Sequence, residues 1–112
     1  MIDWARVREL HEEIGADAFE EVLDLFCEEV AEGLVTLEAA ATPSDQAAAF
    51  HFLKGAALNL GIDDMAGQCA QGEATNASGA LDAACSAEVL AGFPARMKAL
   101  QNGWRAAVQG AE

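Results

Sequence analysis

The feature that most constrains this chain is a set of apolar residues spaced three and four apart. Phe19, Val22, Leu23, Phe26, Val30, Leu34 and Leu37 recur at that interval, which places them on one stripe of an α-helix. A helix with such a stripe must bury it against another element. No run of aromatic or β-branched residues repeats with period two, and the composition is rich in alanine and free of tyrosine. Both facts favour helix over sheet. The partners of the striped helix are therefore expected to be helices, and the fold class is all-α.

Punctuation divides the chain into five helical pieces. Asp3 is placed to cap a short first helix ending near Gly15. Asp17 is read as the cap of a second helix reaching about residue 41. The Thr42-Pro43-Ser44 sequence stops that helix and starts a third, over about 44–60, with Gly61 as its C′ residue. Ile62-Asp63-Asp64 opens a fourth helix that runs to about residue 77, and Asn76-Ala77-Ser78-Gly79 reads as a loop. The last helix spans about 82–109 and carries Val89, Leu90, Phe93, Met97, Leu100, Trp104 and Val108. Pro94 lies inside it and is expected to kink or locally break it. Four longer helices joined by short turns predict an antiparallel up-down four-helix bundle with a short additional N-terminal helix. At 112 residues the chain is long enough for one domain, 1–112, and short for two.

The formal net charge is −13, from 19 acidic and 6 basic residues. That balance argues against nucleic acid and against anionic membrane surfaces, both of which reward Lys and Arg. It suits a basic patch on a protein partner. The first residues lack a basic region followed by an apolar one, and no apolar stretch is long enough to span a bilayer. A cytoplasmic, free-standing monomer is expected. Cys27, Cys69 and Cys85 are odd in number and widely spaced, so they read as reduced, partly buried residues rather than a disulfide framework. A metal or redox site built from His11, His51 and these cysteines is a poor alternative, because no pair has ligand spacing on one helix.

The most informative segment is 50–61, Phe-His-Phe-Leu-Lys-Gly-Ala-Ala-Leu-Asn-Leu-Gly. On a helical wheel at about 100° per residue, Ala49, Leu53, Ala56, Ala57 and Leu60 crowd one side, with Phe50 on its flank. His51 lies at the centre of the opposite, outward face. Lys54, Gly55 and Leu58 fall within roughly 60° of it. An isolated surface histidine carries little meaning, and His11 is read as a solvated one. Gly55 is harder to dismiss, since glycine inside a helix costs about 1 kcal/mol relative to alanine. Its missing side chain gives another macromolecule access to the imidazole. Lys54 adds a cation beside the ring, and Leu58 an exposed apolar contact. A neutral imidazole is a competent nucleophile near pH 7. With no base, oxyanion hole or metal triad in the sequence, the face suits a group carrier whose partner completes the active site.

This segment resembles the signature of histidine-containing phosphotransfer (HPt) domains, approximately H-x-L-K-G-x-x-x-x-L-G, matched here at His51, Leu53, Lys54, Gly55, Leu60 and Gly61. The second helix, with Phe19, Leu23 and Phe26, and the fourth, from 65 to 73, are more loosely similar to the family. The resemblance implies a four-helix bundle that carries a phosphoryl group on the imidazole of His51. It implies that Lys54 helps neutralise the phosphoryl oxygens and that Gly55 provides clearance. Family members often place Gln or Glu where Glu73 stands, where it can accept from the imidazole Nδ1–H and leave Nε2 free. The alternative for Glu73 is a solvated surface carboxylate. Alanine at positions 56 and 57, where many members have Ser or another small residue, keeps the small volume.

The resemblance further implies partners: response regulator receiver domains and a sensor or hybrid histidine kinase. No cofactor of the chain's own is expected, and the divalent metal, Mg, would come from the partner receiver. No P-loop or other nucleotide loop is present, so autonomous kinase activity is not expected. Leu58 and Phe52, with Ile62 and Met65 nearby, are the candidates for docking the partner; for Phe52 and Met65 the alternative is core packing. The rival to a phosphoryl carrier is an HPt-like module that binds and regulates a receiver or kinase without carrying phosphate.

Overall fold

The computed structural model describes residues 2–109, and among them every regular element is helical: α1 (Trp4–Ile14), α2 (Phe19–Ala39), α3 (Pro43–Leu60), α4 (Asp63–Ala77) and α5 (Ala83–Gln109). Helices α2 to α5 form the bundle, joined by short connections. α3 packs most extensively on α4 and also on α2, while α5 closes against α4 and α2. α1 lies across α5, α3 and α2. No helix among the described residues is long and apolar enough to cross a membrane.

The helix ends follow local chemistry. Asp3 caps α1, its carboxylate accepting from the backbone N–H groups of Ala5 and Arg6 at 3.1 and 3.3 Å. Thr42 caps α3, its hydroxyl accepting from Asp45 N–H at 3.1 Å, with Pro43 at the first helical position. Asp82 caps α5 by accepting from Cys85 N–H at 2.9 Å. The expected cap at Asp17 is not formed. Ala18 occupies the N-cap position without a side-chain bond, because a turn closed by Ala18 N–H on Gly15 O carries Asp17 past it. Glu20 and Glu21 instead face the positive end of α2.

Gly61 ends α3 in the left-handed region, φ 77°, which an L side chain enters at a cost. A side chain there would also strike the backbone: a Cβ would sit 2.7 Å from Asp3 O. Asp3 N–H donates to Gly61 O across the same contact at 2.6 Å. Arg6 adds to the join, its guanidinium donating to Asn59 O and Asn59 Oδ1 at 3.1 and 3.0 Å. The start of α1 is thus fastened to the α3–α4 turn.

The core is formed by Phe19, Leu23, Val30 and Leu37 of α2, Phe50, Leu53, Ala57 and Leu60 of α3, and Val89, Phe93, Met97 and Leu100 of α5, with Met65 and Cys69 of α4. α5 is not interrupted at Pro94. That proline is exposed while Phe93 and Met97 beside it are buried, so packing on both sides carries the helix through the residue that would otherwise end it. Between α3 and α4 lies a buried polar join. Gln46 Oε1 accepts from Asn76 Nδ2 and from Asp82 N–H, each at 2.7 Å, and Asn76 Nδ2 also donates to Ala80 O at 3.0 Å.

Candidate functional site

The site is built on the seam between α3 and α4. The core stripe of α3 turns Ala49, Phe50, Leu53, Ala57 and Leu60 inward, and that same rotation sets His51 outward with its side chain 75% exposed. α4 runs alongside and brings Glu73 to it. His51 Nδ1 lies 3.3 Å from Glu73 Oε2, and Lys54 Nζ lies 2.7 Å from Glu73 Oε1. One carboxylate therefore bridges the imidazole and the ammonium. A carboxylate offers only acceptor oxygens, so the contact favours the ring proton on Nδ1 and leaves the Nε2 lone pair available. Lys54 and Glu73 are both mostly buried at the side-chain level, at 29% and 23% exposure, so the pair forms a shelf beneath a histidine that stands clear of it.

Gly55, one turn beyond His51, is exposed, and a Cβ added there would meet nothing within 4 Å. No packing requirement among the described residues explains a glycine at this point of the helix. Leu58, on the same face, is 54% exposed, and Phe52 is 46% exposed. The sequence-derived set His51, Lys54, Gly55, Glu73, Leu58 and Phe52 thus shares one accessible region. Ile62 and Met65 do not. They are 0% and 1% exposed and belong to the core, which corrects their assignment to a docking surface. Gly61 reverses the chain after α3, so the helical wheel does not extend to Ile62, and Met65 packs inward against α5 at Gly92.

His11 is also corrected. Its ring is partly buried and sits edge-on to Phe19 at 5.0 Å, with Trp104 at 6.1 Å. It is a packing residue of the α1–α2–α5 corner, not a solvated one. The three cysteines are free. Burial raises the Cys27 and Cys85 thiols above their ordinary range and pushes Cys69 up to about 12, which keeps them protonated and poorly nucleophilic at neutral pH. Among the described residues no three His, Cys, Asp or Glu side chains gather closely enough to hold a metal ion.

Sequence reasoning missed the residues that set the register of this seam. Gln46 and Asn76 are 4% and 6% exposed and join the same two helices a short way along from His51 and Glu73. A signal was present: Gln46 falls seven residues before Leu53 and fourteen before Leu60, a polar residue on the apolar stripe.

Comparison with known proteins agrees with the geometry. No curated protein and no solved structure matches the chain. A family model described as Hpt domain matches residues 21–106, which include α3, α4 and most of α2 and α5. The match contains His51, Lys54, Gly55 and Glu73 and excludes α1. The chain therefore belongs to the Hpt domain family, the histidine phosphotransfer domains of phosphorelay signalling.

Proposed function

We propose that this protein carries a phosphoryl group on His51, receiving it from a receiver-domain aspartate or a histidine kinase and passing it to another receiver aspartate. The observation that carries the reading is the single carboxylate of Glu73 set against both His51 Nδ1 and Lys54 Nζ. With the proton held on Nδ1, Nε2 attacks the phosphorus of an aspartyl phosphate. The N–P bond forms as the P–O bond breaks, and the aspartate leaves as a carboxylate. Glu73 holds the imidazole in orientation and stabilises the positive charge that the ring gains. Lys54 lies beside the histidine as a cation for the phosphoryl oxygens. Gly55 leaves the approach to Nε2 open. The divalent cation that neutralises the phosphate during transfer would be held by the receiver.

The role is positioning within a composite site and not catalysis by this chain alone. The test is phosphotransfer from a panel of aspartyl-phosphorylated receiver domains, with magnesium, to wild type and to His51→Gln. Acid-labile, alkali-stable label on wild type alone is the expected result. Binding of receivers without label on wild type would instead identify a regulatory module, and label on His51→Gln would remove His51 as the acceptor.

A further inference from the structure

A second surface adjoins the histidine, and it is made in an unusual way. Six glycines lie inside helices among the described residues: Gly33, Gly55, Gly67, Gly72, Gly92 and Gly103. Gly72, Gly92 and Gly103 make room for Phe50, Met65 and Trp4, rings and chains that are buried or partly buried. Gly33 differs. A Cβ there would sit 2.9 Å from two atoms of the Phe52 ring and 3.0 Å from Leu53 Cδ2, yet Phe52 is 46% exposed. A buried helix glycine thus serves as a notch for a ring that stays largely at the surface.

The notch floors a groove between α2 and α3, lined by Glu29, Glu32, Gly33, Thr36, Ala48 and Phe52. Phe52 follows His51 directly, so the groove borders the phosphoacceptor face. A specific protein interface buries about 800 Å² on each partner, far more than one imidazole and its flanking Gly55 and Leu58 present. A partner seated on His51 must therefore spread onto its flanks. On this flank it meets an apolar floor under carboxylates. α2 contains seven acidic residues and no Lys or Arg, and Glu29 and Glu32 form no ion pair among the described residues. The nearest cation of α3, Lys54, is engaged by Glu73 on the opposite flank.

We infer that this groove selects the receiver partner, taking an apolar side chain flanked by Lys or Arg, and that Gly33 is the positioning residue that keeps it open by seating Phe52. The inference rests on the phosphotransfer reading above and adds the partner chemistry that reading leaves open. Steering by such rim charges acts on association and depends on salt.

The experiment uses the full chain and the receiver domain that labels wild type in the panel. Receiver affinity is measured by calorimetry at low and high salt, and transfer is followed as a function of receiver concentration. E29Q/E32Q is expected to weaken binding about threefold to tenfold at low ionic strength, with the deficit shrinking in high salt. The loss should fall mainly on the receiver concentration needed for half-maximal transfer. E12Q/E21Q, an equal change in net charge away from the groove, should have little effect. G33A should weaken binding by displacing Phe52, and that loss should vanish in an F52A background. Because G33A also presses on Leu53, the surface variants F52A and E29Q/E32Q carry the test if it folds poorly. Equal losses in E12Q/E21Q and E29Q/E32Q, or unchanged affinity in E29Q/E32Q with wild type labelled, would overturn the inference and leave the carrier reading standing. A wild type that no receiver labels would remove the carrier reading and this inference with it.

Discussion

The two histidines of this chain occupy regions that differ in almost every physical respect. His51 stands on the α3–α4 seam, three-quarters exposed, with a carboxylate at Nδ1 and a lysine sharing that carboxylate. His11 sits in the α1–α2–α5 corner against Phe19 and Trp104, where Phe19 and Trp104 themselves pack at 4.8 Å and Arg105 lies 4.6 Å above the indole. One region keeps its histidine accessible and oriented through polar contacts; the other uses the same ring as an aromatic surface. Residue type alone does not assign the chemistry. The surroundings that the packed helices create do.

The largest expected effect separates the two regions outright. His51→Gln should abolish phosphoryl labelling while shifting thermal stability by no more than about 0.5 kcal/mol, as for other exposed substitutions. His11→Gln should retain labelling and lose about 1 kcal/mol of stability with its aromatic contacts. Labelling and thermal melts on the same two proteins check both halves.

Next in size, Trp104→Ala should empty the corner and cost about 3–5 kcal/mol, read by denaturant unfolding, with the label per folded molecule preserved. A loss of label in the folded fraction would show that the corner and the seam are coupled. On the seam, Glu73→Ala should slow transfer about 10- to 100-fold, the cost of removing a carboxylate that orients a metal-bound histidine applied to the same orienting role here. Glu73→Gln should recover part of that loss, since its amide oxygen still accepts from Nδ1–H. Equal rates for the alanine and glutamine variants would refute the orienting role.

The smallest effect concerns an ion pair that belongs to neither histidine. Arg96 donates to Asp64 Oδ2 from Nε at 3.1 Å and from Nη2 at 2.5 Å, and that hydrogen bonding holds the Asp64 carboxyl below its ordinary value. Its stabilising contribution is present above the unfolded carboxylate value, about 3.9, and is lost as pH falls through the lower folded value. Both side chains are about one-third exposed, so solvent screening limits the contribution to under about 1 kcal/mol. Arg96→Met should flatten the acid limb of stability against pH below about 4, with labelling unchanged at neutral pH.

Much of this arrangement was legible in the sequence, for reasons that can be named. The outward placement of His51 followed from the apolar stripe of α3, because a helix that buries Leu53, Ala57 and Leu60 must expose position 51. The caps at Asp3 and Thr42 and the left-handed Gly61 are local chemistry, and local chemistry is written in adjacent residues. What escaped depends on contacts between distant segments. Asp17 has a good capping side chain, but a turn anchored on Gly15 displaces it. Pro94 carries a strong breaking signal that is overridden by buried residues on either side. Ile62 and Met65 follow a chain reversal, beyond which the wheel of α3 has no authority. The aromatic company of His11 joins three helices, and the notch at Gly33 is defined only by a ring nineteen positions later.

The aromatic corner has a practical consequence for following this protein in solution. The chain has two tryptophans and no tyrosine. Trp104 packs with Phe19 and His11, and Trp4 lies over Gly103, so both indoles pack at α5, whereas His51 stands on the α3–α4 seam. Near-ultraviolet emission therefore reports the docking of α1 and α2 on α5. A fluorescence titration with a tryptophan-free partner would be nearly silent even as the histidine is engaged. Conversely, a single tryptophan introduced in place of Leu58 would provide a second optical channel, on the face that presents His51, against a constant background from the corner.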